Sequence, residues 1–230
     1  VPLAGYGHFS DRMSTGVRDP VFVRALALDT GARPVVLIVY DLLLVSEPLH
    51  QALRAALPDA DVIVHATHTH SGPGGYVDGW LTQKVCGKKR PGRLEALVFA
   101  GTRVAKAALD DRKPARVAAA VGALPGHNGN RRDPDGPLDE ELSVLRLRRE
   151  NDRALLVSYS AHPVIMGERD HHRISADFPG EVLARVEAAG AFGIFVQGAL
   201  GGVDVLFPRD KSVTADDNLE RMAAPLADRA

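Results

Sequence analysis

The strongest constraint on the fold is a pair of short, almost purely apolar segments that flank a helical pattern. The first segment, residues 34–44, is continuous and rich in β-branched residues, which is typical of a buried strand. Residues 61–67 form a second apolar segment of the same kind. Between them, residues 47–57 have the spacing of an amphipathic helix, with Ser46 as the expected N-cap and Pro48 in its first turn.

The rest of the chain continues this alternation, and strands then cluster in its middle part. The pattern predicts an α/β fold with a mixed β-sheet core flanked by helices. A length of 230 residues fits a single domain over residues 1–230. Further strands are predicted at residues 21–28, 115–124, 142–148, 155–161 and 192–197, and further helices at residues 94–109, 178–189 and 216–230.

Charge and cysteine content argue against several classes of function. The 28 basic and 29 acidic residues give a net charge of −1, whereas nucleic-acid binding usually shows as a basic excess, so no nucleic-acid partner is expected. The basic residues 88–90 lie among Gly and Pro, which indicates a solvated loop. The single cysteine, Cys86, cannot form an internal disulfide or a multi-cysteine metal site, and is expected to be a loop or packing residue.

Two histidines directly follow the second apolar strand. His68 and His70 lie between this strand and the Gly-rich loop of residues 71–75. Because alternate side chains of an extended chain point to the same side, both imidazoles are expected on one side, where they can share a metal ion. His65 has the opposite parity and is left out. The alternative is that both histidines are ordinary polar residues at a strand edge.

A third histidine, His162, follows the predicted strand at residues 155–161 and precedes a proline. A single histidine at such a position is commonly structural. Together with His68 and His70, however, it completes a set of three nitrogens. Imidazole ligands that leave one position open suit catalytic Zn²⁺, so the three histidines predict a zinc site.

Other polar segments carry weaker signals. His171 and His172 are adjacent, and adjacent side chains rarely face one metal, so both are expected in a surface loop. Residues 126–136 are polar and Gly-rich, as in a linker or a long functional loop. The chain has no Gly-x-Ser-x-Gly segment, so a serine triad is not supported.

Several segments together resemble the neutral/alkaline non-lysosomal ceramidase family, in its N-terminal catalytic domain. The most specific is residues 66–76, ATHTHSGPGGY, which resembles a family motif over eleven positions. The resemblance extends over nearly the whole chain and keeps the family's order. The other matching segments are Asn130-Arg131 and residues 139–145, 161–166 and 174–180.

The resemblance implies a zinc-dependent amidase that cleaves the N-acyl amide bond of ceramide-like lipids to a fatty acid and a sphingoid base. In that family two histidines, a glutamate and a tyrosine hold one zinc ion. His68 and His162 match the two histidines and are the predicted metal ligands. His70 matches a histidine that contacts the reacting centre, and Arg131 an arginine near the substrate, so these two are the predicted catalytic residues.

The resemblance also carries expectations about the whole protein. The family's glutamate and tyrosine lie beyond residue 230, so the chain is expected to be most of a catalytic domain, cut short at its C-terminus. The chain begins at Val1 and not at Met, so a missing natural N-terminus is a further expectation. A lipid or small-molecule amide substrate, transient contact with a membrane surface, and a secreted or periplasmic location are implied as well. Oligomeric state is left open.

Two further positions bear on the substrate. Residues 76–81 hold the only tryptophan, Trp80, and are a candidate apolar lip for lipid entry, with a core position for Trp80 as the alternative. Asp204 stands where the family has a serine, and Gly202 where it has an aspartate. A carboxylate in place of a hydroxyl changes both charge and hydrogen-bond direction.

The change at Asp204 keeps two alternatives to the ceramide reaction open. One is a metal-dependent hydrolase of another amide or ester, and the other is a non-catalytic ceramidase-like domain. Asp204 follows an apolar strand and a Gly-Gly turn, where α/β folds carry functional loops. It is therefore predicted to lie near the metal, with a turn-capping role as the alternative.

Overall fold

The computed structural model describes residues 1–6, 12–169, 172–206 and 212–230. In these parts of the chain the strands are β1 (Gly16–Val17), β2 (Val23–Leu28), β3 (Val35–Tyr40), β4 (Asp61–Ala66), β5 (Arg116–Ala123), β6 (Asn128–Asn130), β7 (Glu141–Arg148), β8 (Arg153–Tyr159), β9 (Arg173–Ile174), β10 (Phe192–Gln197) and β11 (Val203–Val205). The helices are α1 (Glu47–Ala56), α2 (Trp80–Cys86), α3 (Arg93–Asp110), α4 (Ile165–Arg169), α5 (Asp177–Ala188) and α6 (Ala215–Arg229).

The larger sheet has four strands in the order β10-β8-β7-β5. β10 pairs with β8 in parallel, while β8 with β7 and β7 with β5 are antiparallel, so the sheet is mixed. One face packs against α5 and α6, where alternate strand residues such as Val144, Val157 and Phe195 are buried. Phe178 of α5 meets Phe195 edge to face, with ring centroids 5.5 Å apart.

The smaller sheet has three strands in the order β2-β3-β4. β3 and β4 are parallel and are connected through α1, as their apolar segments require, whereas β2 runs antiparallel to β3. A second core cluster joins this sheet to α1 and α3. Here Tyr40 is fully buried and its hydroxyl donates to the carbonyl of Leu97 on α3 at 2.8 Å. The predicted α/β fold with a mixed β-sheet core flanked by helices is confirmed.

Two short strand pairs shape the loops near the strand ends. β1 pairs with β9, and β6 pairs antiparallel with β11. β6 falls within the polar segment 126–136, so this part of the segment pairs with the fold and the segment is not a free linker, although residues 131–135 are exposed. A single parallel bridge joins His162 to Asp204 beside this pair.

Some sequence expectations need correction or gain detail. Ser46 precedes α1 but makes no side-chain cap hydrogen bond. α2 was not predicted, and it places Cys86 in the second core cluster as a packing residue. Residues 88–90 are exposed, as expected of a solvated loop. Within the described residues, none of the helices combines the length and the apolar character that crossing a membrane requires.

Candidate metal centre

The three histidines of the sequence prediction meet at one point, but the backbone path differs from the extended chain that was assumed. β4 ends at Ala66, one residue earlier than predicted. His68 has a positive φ of 65°, so residues 68–70 do not continue the strand, and the alternation argument for this pair is wrong in detail. The convergence instead depends on a left-handed residue, in a conformation that is strained for a side chain other than Gly.

Backbone hydrogen bonds fix this turn against both sheets. The amide of His68 donates to the carbonyl of Leu42 at 3.0 Å, beyond the end of β3. The amide of His70 donates to the carbonyl of Pro163 at 3.1 Å, next to His162. The His68–His70 turn is therefore tied to the segment that carries the third histidine.

The three Nε2 atoms face one another. His162 Nε2 lies 2.9 Å from His70 Nε2, which in turn lies 3.4 Å from His68 Nε2. One ligand nitrogen from each residue falls within 4.8 Å of the other two, so the group could hold a metal ion. Among the residues that the structure describes, this is the one cluster of three or more such side chains.

The opposite ring nitrogens of two histidines are held by backbone carbonyls. His68 Nδ1 lies 2.6 Å from the carbonyl oxygen of Leu43, and His162 Nδ1 lies 3.1 Å from that of Leu200. A carbonyl accepts only, so a proton on each Nδ1 best fits these contacts, and each Nε2 then presents its lone pair to the cluster. Metal-binding histidines are commonly oriented in this way by an acceptor behind the ring.

The histidines are neutral at physiological pH. Burial lowers the pKa of His68 to about 4, with a further contribution from His162. Burial, followed by the charges of His162 and His68, lowers the pKa of His70 to about 2. Burial also lowers the pKa of His162, and the hydrogen bond to the carbonyl of Leu200 opposes part of this effect. Neutral imidazole is the form that binds metals.

The donor set fits a zinc ion. The ligand nitrogens of His68 and His162 lie within 4.8 Å of each other and of His70, close enough for ligands that bind one Zn²⁺ at about 2.0–2.1 Å. Without a cation, the lone pairs of His68 and His162 share at most one Nε2 proton, that of His70. His70 Nδ1 is buried and has no hydrogen-bond partner. The site therefore has more acceptor atoms than protons, as expected of a cation site.

His70 is packed by residues from the start of the chain that sequence reasoning missed. The ring of Tyr6 meets the ring of His70 edge to face, with centroids 4.9 Å apart. The buried guanidinium of Arg12 donates to the carbonyls of Ala4 and His70, and lies 5.0 Å from the centroid of the Tyr6 ring. Gly5 lies against the His70 side chain. The glycine-flanked tyrosine in Gly5-Tyr6-Gly7 was the only sequence signal for this support.

Arg131 and Asp204 both lie beside His162. The amide of Arg131 donates to the carbonyl of Gly202 at 2.9 Å, next to the β6–β11 pair. Its Nη1 lies 3.5 Å from His162 Nδ1. Asp204 pairs with His162 through the backbone bridge, and its carboxylate offsets a small part of the lowering of the His162 pKa by burial. This position agrees with the prediction that Asp204 lies near the metal site.

The remaining histidine expectations have mixed outcomes. His65 stays outside the cluster, as expected, and its Nε2 accepts from the amide of Gln197 at 2.8 Å, joining the two sheets. His172 is exposed, whereas His171 lies outside the described residues. Trp80 is 74% exposed, so the alternative of a core position is wrong.

Comparison with known proteins agrees with the sequence motifs. Residues 1–191 match the family model described as neutral/alkaline non-lysosomal ceramidase, N-terminal. A neutral ceramidase of Mycobacterium tuberculosis (strain ATCC 25618 / H37Rv) is 27% identical over 204 residues, which cover 77% of this chain and 32% of the relative.

Two solved structures have the same fold. One is a ceramidase complexed with C2, with a TM-score of 0.86, and the other is a neutral ceramidase from Pseudomonas aeruginosa, with a TM-score of 0.83. Each is 23% identical to this chain, which is covered completely and in turn covers 40% of the solved chain. The chain thus spans between about a third and two fifths of the length of these relatives.

Proposed function

The chain belongs to the neutral/alkaline non-lysosomal ceramidase family, and from that premise we propose that it is a zinc-dependent amidase acting on ceramide-like lipids. The bond cleaved is the N-acyl amide, and the products are a fatty acid and a sphingoid base. The relatives that match are described as ceramidases, which supports an amide-linked acyl lipid as the substrate class. The activity belongs to the full-length protein, of which these residues form part.

The single observation that carries the proposal is the convergence of three neutral imidazoles on one point. His68 and His162 present their Nε2 lone pairs to it, with their Nδ1–H groups held by the carbonyls of Leu43 and Leu200. A structural histidine would be expected to use both of its nitrogens in hydrogen bonds within the protein. The Nε2 atoms of His68 and His162 meet only the Nε2 of His70, whose single proton cannot satisfy both lone pairs, so a lone pair is left for a cation.

We assign His68 and His162 as the zinc ligands of this chain. Zinc bound there supplies Lewis acidity, which polarises the amide carbonyl and lowers the pKa of water towards about 7. Both histidines come from loops that follow strands, so the sheets fix their rings before any metal arrives. The low pKa of His68, about 4, keeps its lone pair free at neutral pH.

His70 and Arg131 are assigned to the reaction itself. His70 Nε2 points into the cluster, so as an N–H it can donate to an oxyanion that develops on the substrate carbonyl. In the other tautomer its Nε2 lone pair can take a proton from the attacking water and then pass that proton to the leaving amine. Arg131 lies on the other side of His162 and carries a fixed positive charge near the same point. Such a charge favours the carboxylate of a fatty-acid product.

A second candidate function rests on Asp204. This carboxylate stands beside His162 where the family has a serine, and it brings a negative charge close to the metal site. A negative charge there disfavours anionic substrate groups and tightens cation binding. Hydrolysis of another amide or ester by the same histidines is therefore the alternative activity.

The experiment that tests the metal assignment is zinc content per chain, measured by elemental analysis after dialysis. Wild-type full-length protein is compared with His68→Ala and His162→Ala. His65→Ala is the matched control, because His65 lies three residues before His68, at the end of β4, and is half-buried but stays outside the cluster. That control loses one hydrogen bond to Gln197, worth about 1 kcal/mol, and is expected to keep its zinc.

Loss of zinc in both cluster variants, with retention in the control, is the expected result. Full zinc in both cluster variants would show that the ion is held elsewhere. Equal loss in all three variants would point to a general loss of structure, and circular dichroism on the same samples separates that case.

A further inference from the structure

The exposed side of α2 is an unusual surface. Trp80 is 74% exposed, Leu81 is 62% exposed and Val85 is 36% exposed, although the same short helix buries Cys86 completely. Large apolar side chains so close together and so open to water commonly mark an interaction site. Together with the basic segment that follows, these residues form what we call the α2 surface: residues 80–90.

Basic residues surround the apolar group. Lys84 lies with its ammonium 5.0 Å from the centroid of the Trp80 ring. The segment that follows α2 carries three more cations in a row, at exposed positions 88–90. From Asp78 to Glu95 the chain holds five basic and two acidic residues, although the whole chain has a net charge of −1.

The basic segment folds back beside the helix. The amide of Lys89 donates to the side chain of Gln83 at 3.3 Å, and its ammonium pairs with Asp78 at 2.7 Å. The amide of Arg90 donates to Gly75 at 2.8 Å, in the loop after the histidine motif. The cations and the apolar side chains therefore belong to one surface of the protein.

This surface is directly connected to the candidate metal centre. The carbonyl of Val85 accepts from the amide of Gly5 at 2.8 Å. Gly5 lies so close to His70 that a Cβ on it would come 2.8 Å from the His70 side chain. One hydrogen bond and one packing contact thus separate the outer helix from the cluster.

We propose that the α2 surface docks the protein on an anionic lipid bilayer, with Trp80 and Leu81 entering the interface and the basic residues facing the headgroups. Trp favours the headgroup level of a membrane because its ring is apolar and its N–H is polar. Lysine and arginine next to such residues are attracted by the negative surface potential of anionic lipids. The matching charge of the headgroups selects a bilayer as the occupant.

Docking at this place deepens the proposed function, on which its role in substrate supply rests. A ceramide-like substrate stays in the bilayer because its chains are apolar. A protein bound through α2 would hold its metal centre close to the membrane surface, on the side from which such a lipid arrives. The binding itself needs no metal and can be measured independently of hydrolysis.

Trp80 provides the measurement, since it is the only tryptophan of the 230 residues, and the difference in emission between full-length wild type and Trp80→Phe isolates its signal. Its fluorescence is recorded while vesicles are added, either pure phosphatidylcholine or phosphatidylcholine with phosphatidylglycerol, each with and without a chelator. Anionic vesicles are expected to shift the emission to shorter wavelength, and brominated acyl chains to quench it. Pure phosphatidylcholine is expected to bind at least about tenfold more weakly.

Variants test which residues hold the membrane. Lys84→Gln is expected to weaken binding to anionic vesicles about fivefold, from the loss of one charge near the surface. Lys106→Gln is the matched control. Lys106 is also exposed, but it lies in α3 about 20 Å from the helix start at Arg93, which is the end next to the α2 surface. For Trp80→Ala, followed by vesicle sedimentation, we expect a loss of at least about tenfold.

Several outcomes would overturn the proposal. Unchanged Trp80 emission with anionic vesicles, whether or not the protein sediments with them, would exclude this surface as the membrane contact. Equal binding to both vesicle types would exclude the role of the basic residues. Emission already shifted without lipid would show that the surface is covered within the protein itself, by a second copy if the protein sediments as a dimer and by other residues of the full-length protein if it sediments as a monomer.

Discussion

Among the three clustered histidines, His70 differs in what surrounds its ring. His68 and His162 have a carbonyl behind the ring, whereas His70 Nδ1 is buried without a partner and the ring is held by packing against Tyr6. A histidine whose Nδ1 is held by a carbonyl keeps its Nε2 oriented towards a metal ion, as a stable metal ligand requires. No acceptor fixes the tautomer of His70, so its Nε2 can act as donor or as acceptor towards a substrate, which is why we separate His70 from the ligands.

The first prediction follows from this separation. His70→Ala is expected to keep its zinc and to lose turnover about a hundredfold or more, because a positioned acid–base group contributes 10²–10⁴-fold. Zinc content and fatty-acid release are measured on the same sample of full-length protein. His65→Ala, which leaves the cluster intact, is the comparison. Loss of zinc together with activity in His70→Ala would instead make His70 a third ligand.

The second prediction concerns stability and pH in metal-free protein. The pKa values of about 4 for His68 and about 2 for His70 lie below the ordinary 6.5. The stability that these groups contribute is therefore fully present above pH 6.5 and is lost as the pH falls towards about 4 for His68 and about 2 for His70, because the unfolded chain then binds more protons. The expected cost at pH 5 is about 1–2 kcal/mol per histidine.

Urea unfolding at pH 7.5 and pH 5, with a chelator present, measures this effect. Asp41 and Asp177 act in the opposite direction, because burial raises the pKa of each to about 6, so their contribution is lost as the pH rises through 6. The quantity compared is therefore the change in the free energy of unfolding between pH 7.5 and pH 5, in wild type and in His70→Ala. An equal pH difference in the two proteins would contradict the account.

How far the site could be predicted also depends on single residues. The histidines were found because their spacing and their family motif are local features of the sequence. The left-handed turn at His68 was not found, since it is held by hydrogen bonds to Leu42 and Pro163, which are distant in the sequence. The carbonyls of Leu43 and Leu200, which set the tautomers, carry no sequence signal at all because every residue has a carbonyl.

Among the elements, regular apolar patterns were the easiest to predict. β10 was predicted at its observed bounds, and α1, α3, α5 and α6 within about one residue at each end. The apolar patterns of these elements were clear because each helix buries one face, and because β10 is covered on both faces. α6 also has a local signal, a capping box in which Thr214 and Asp217 bond each other's backbone amides.

The elements that were missed lack a pattern of their own. α2 is a seven-residue helix between glycines, and its large apolar residues face outward, so no buried stripe appears in the sequence. β6 and β11 have three residues each and exist only because they pair with one another. Pairing between distant segments is a tertiary effect, and a polar sequence such as Asn128-Gly129-Asn130 does not reveal it.

The third prediction is made for the segment that supports His70. Gly5→Ala is expected to reduce turnover by about a hundredfold, because the new Cβ would lie 2.8 Å from the His70 side chain and displace it. Gly31→Ala is the matched control, since Gly31 has nearly the same φ, +90° against +93°, but no neighbouring atom within 4 Å of the new Cβ.

Both glycine substitutions carry the same left-handed strain, about 1–2 kcal/mol, which urea unfolding measures. Fatty-acid release by the full-length protein measures the effect on the site. If both variants lose activity equally, the loss comes from backbone strain and not from the displacement of His70.

Across the whole molecule, the candidate metal centre lies where the two core clusters meet. His68 and His70 follow β4 of the smaller sheet, whereas His162 follows β8 of the larger one. The bonds from His70 to Pro163 and from Gln197 to His65 cross the same boundary. A metal ion bound by His68 and His162 would therefore connect two separately packed parts of the fold, and both must be in place for the site to form.

The central claim is that this cluster holds the zinc ion that cleaves an acyl amide bond, and the release of fatty acid from an N-acylsphingosine tests it most directly. Full-length protein is assayed as purified, after removal of metal by a chelator, and after zinc is added back. The account predicts activity that the chelator abolishes, that zinc restores, and that His68→Ala and His162→Ala lack even with excess zinc. Activity that persists without metal, or zinc-loaded wild-type protein that cleaves neither this lipid nor any other N-acyl amide, would contradict it.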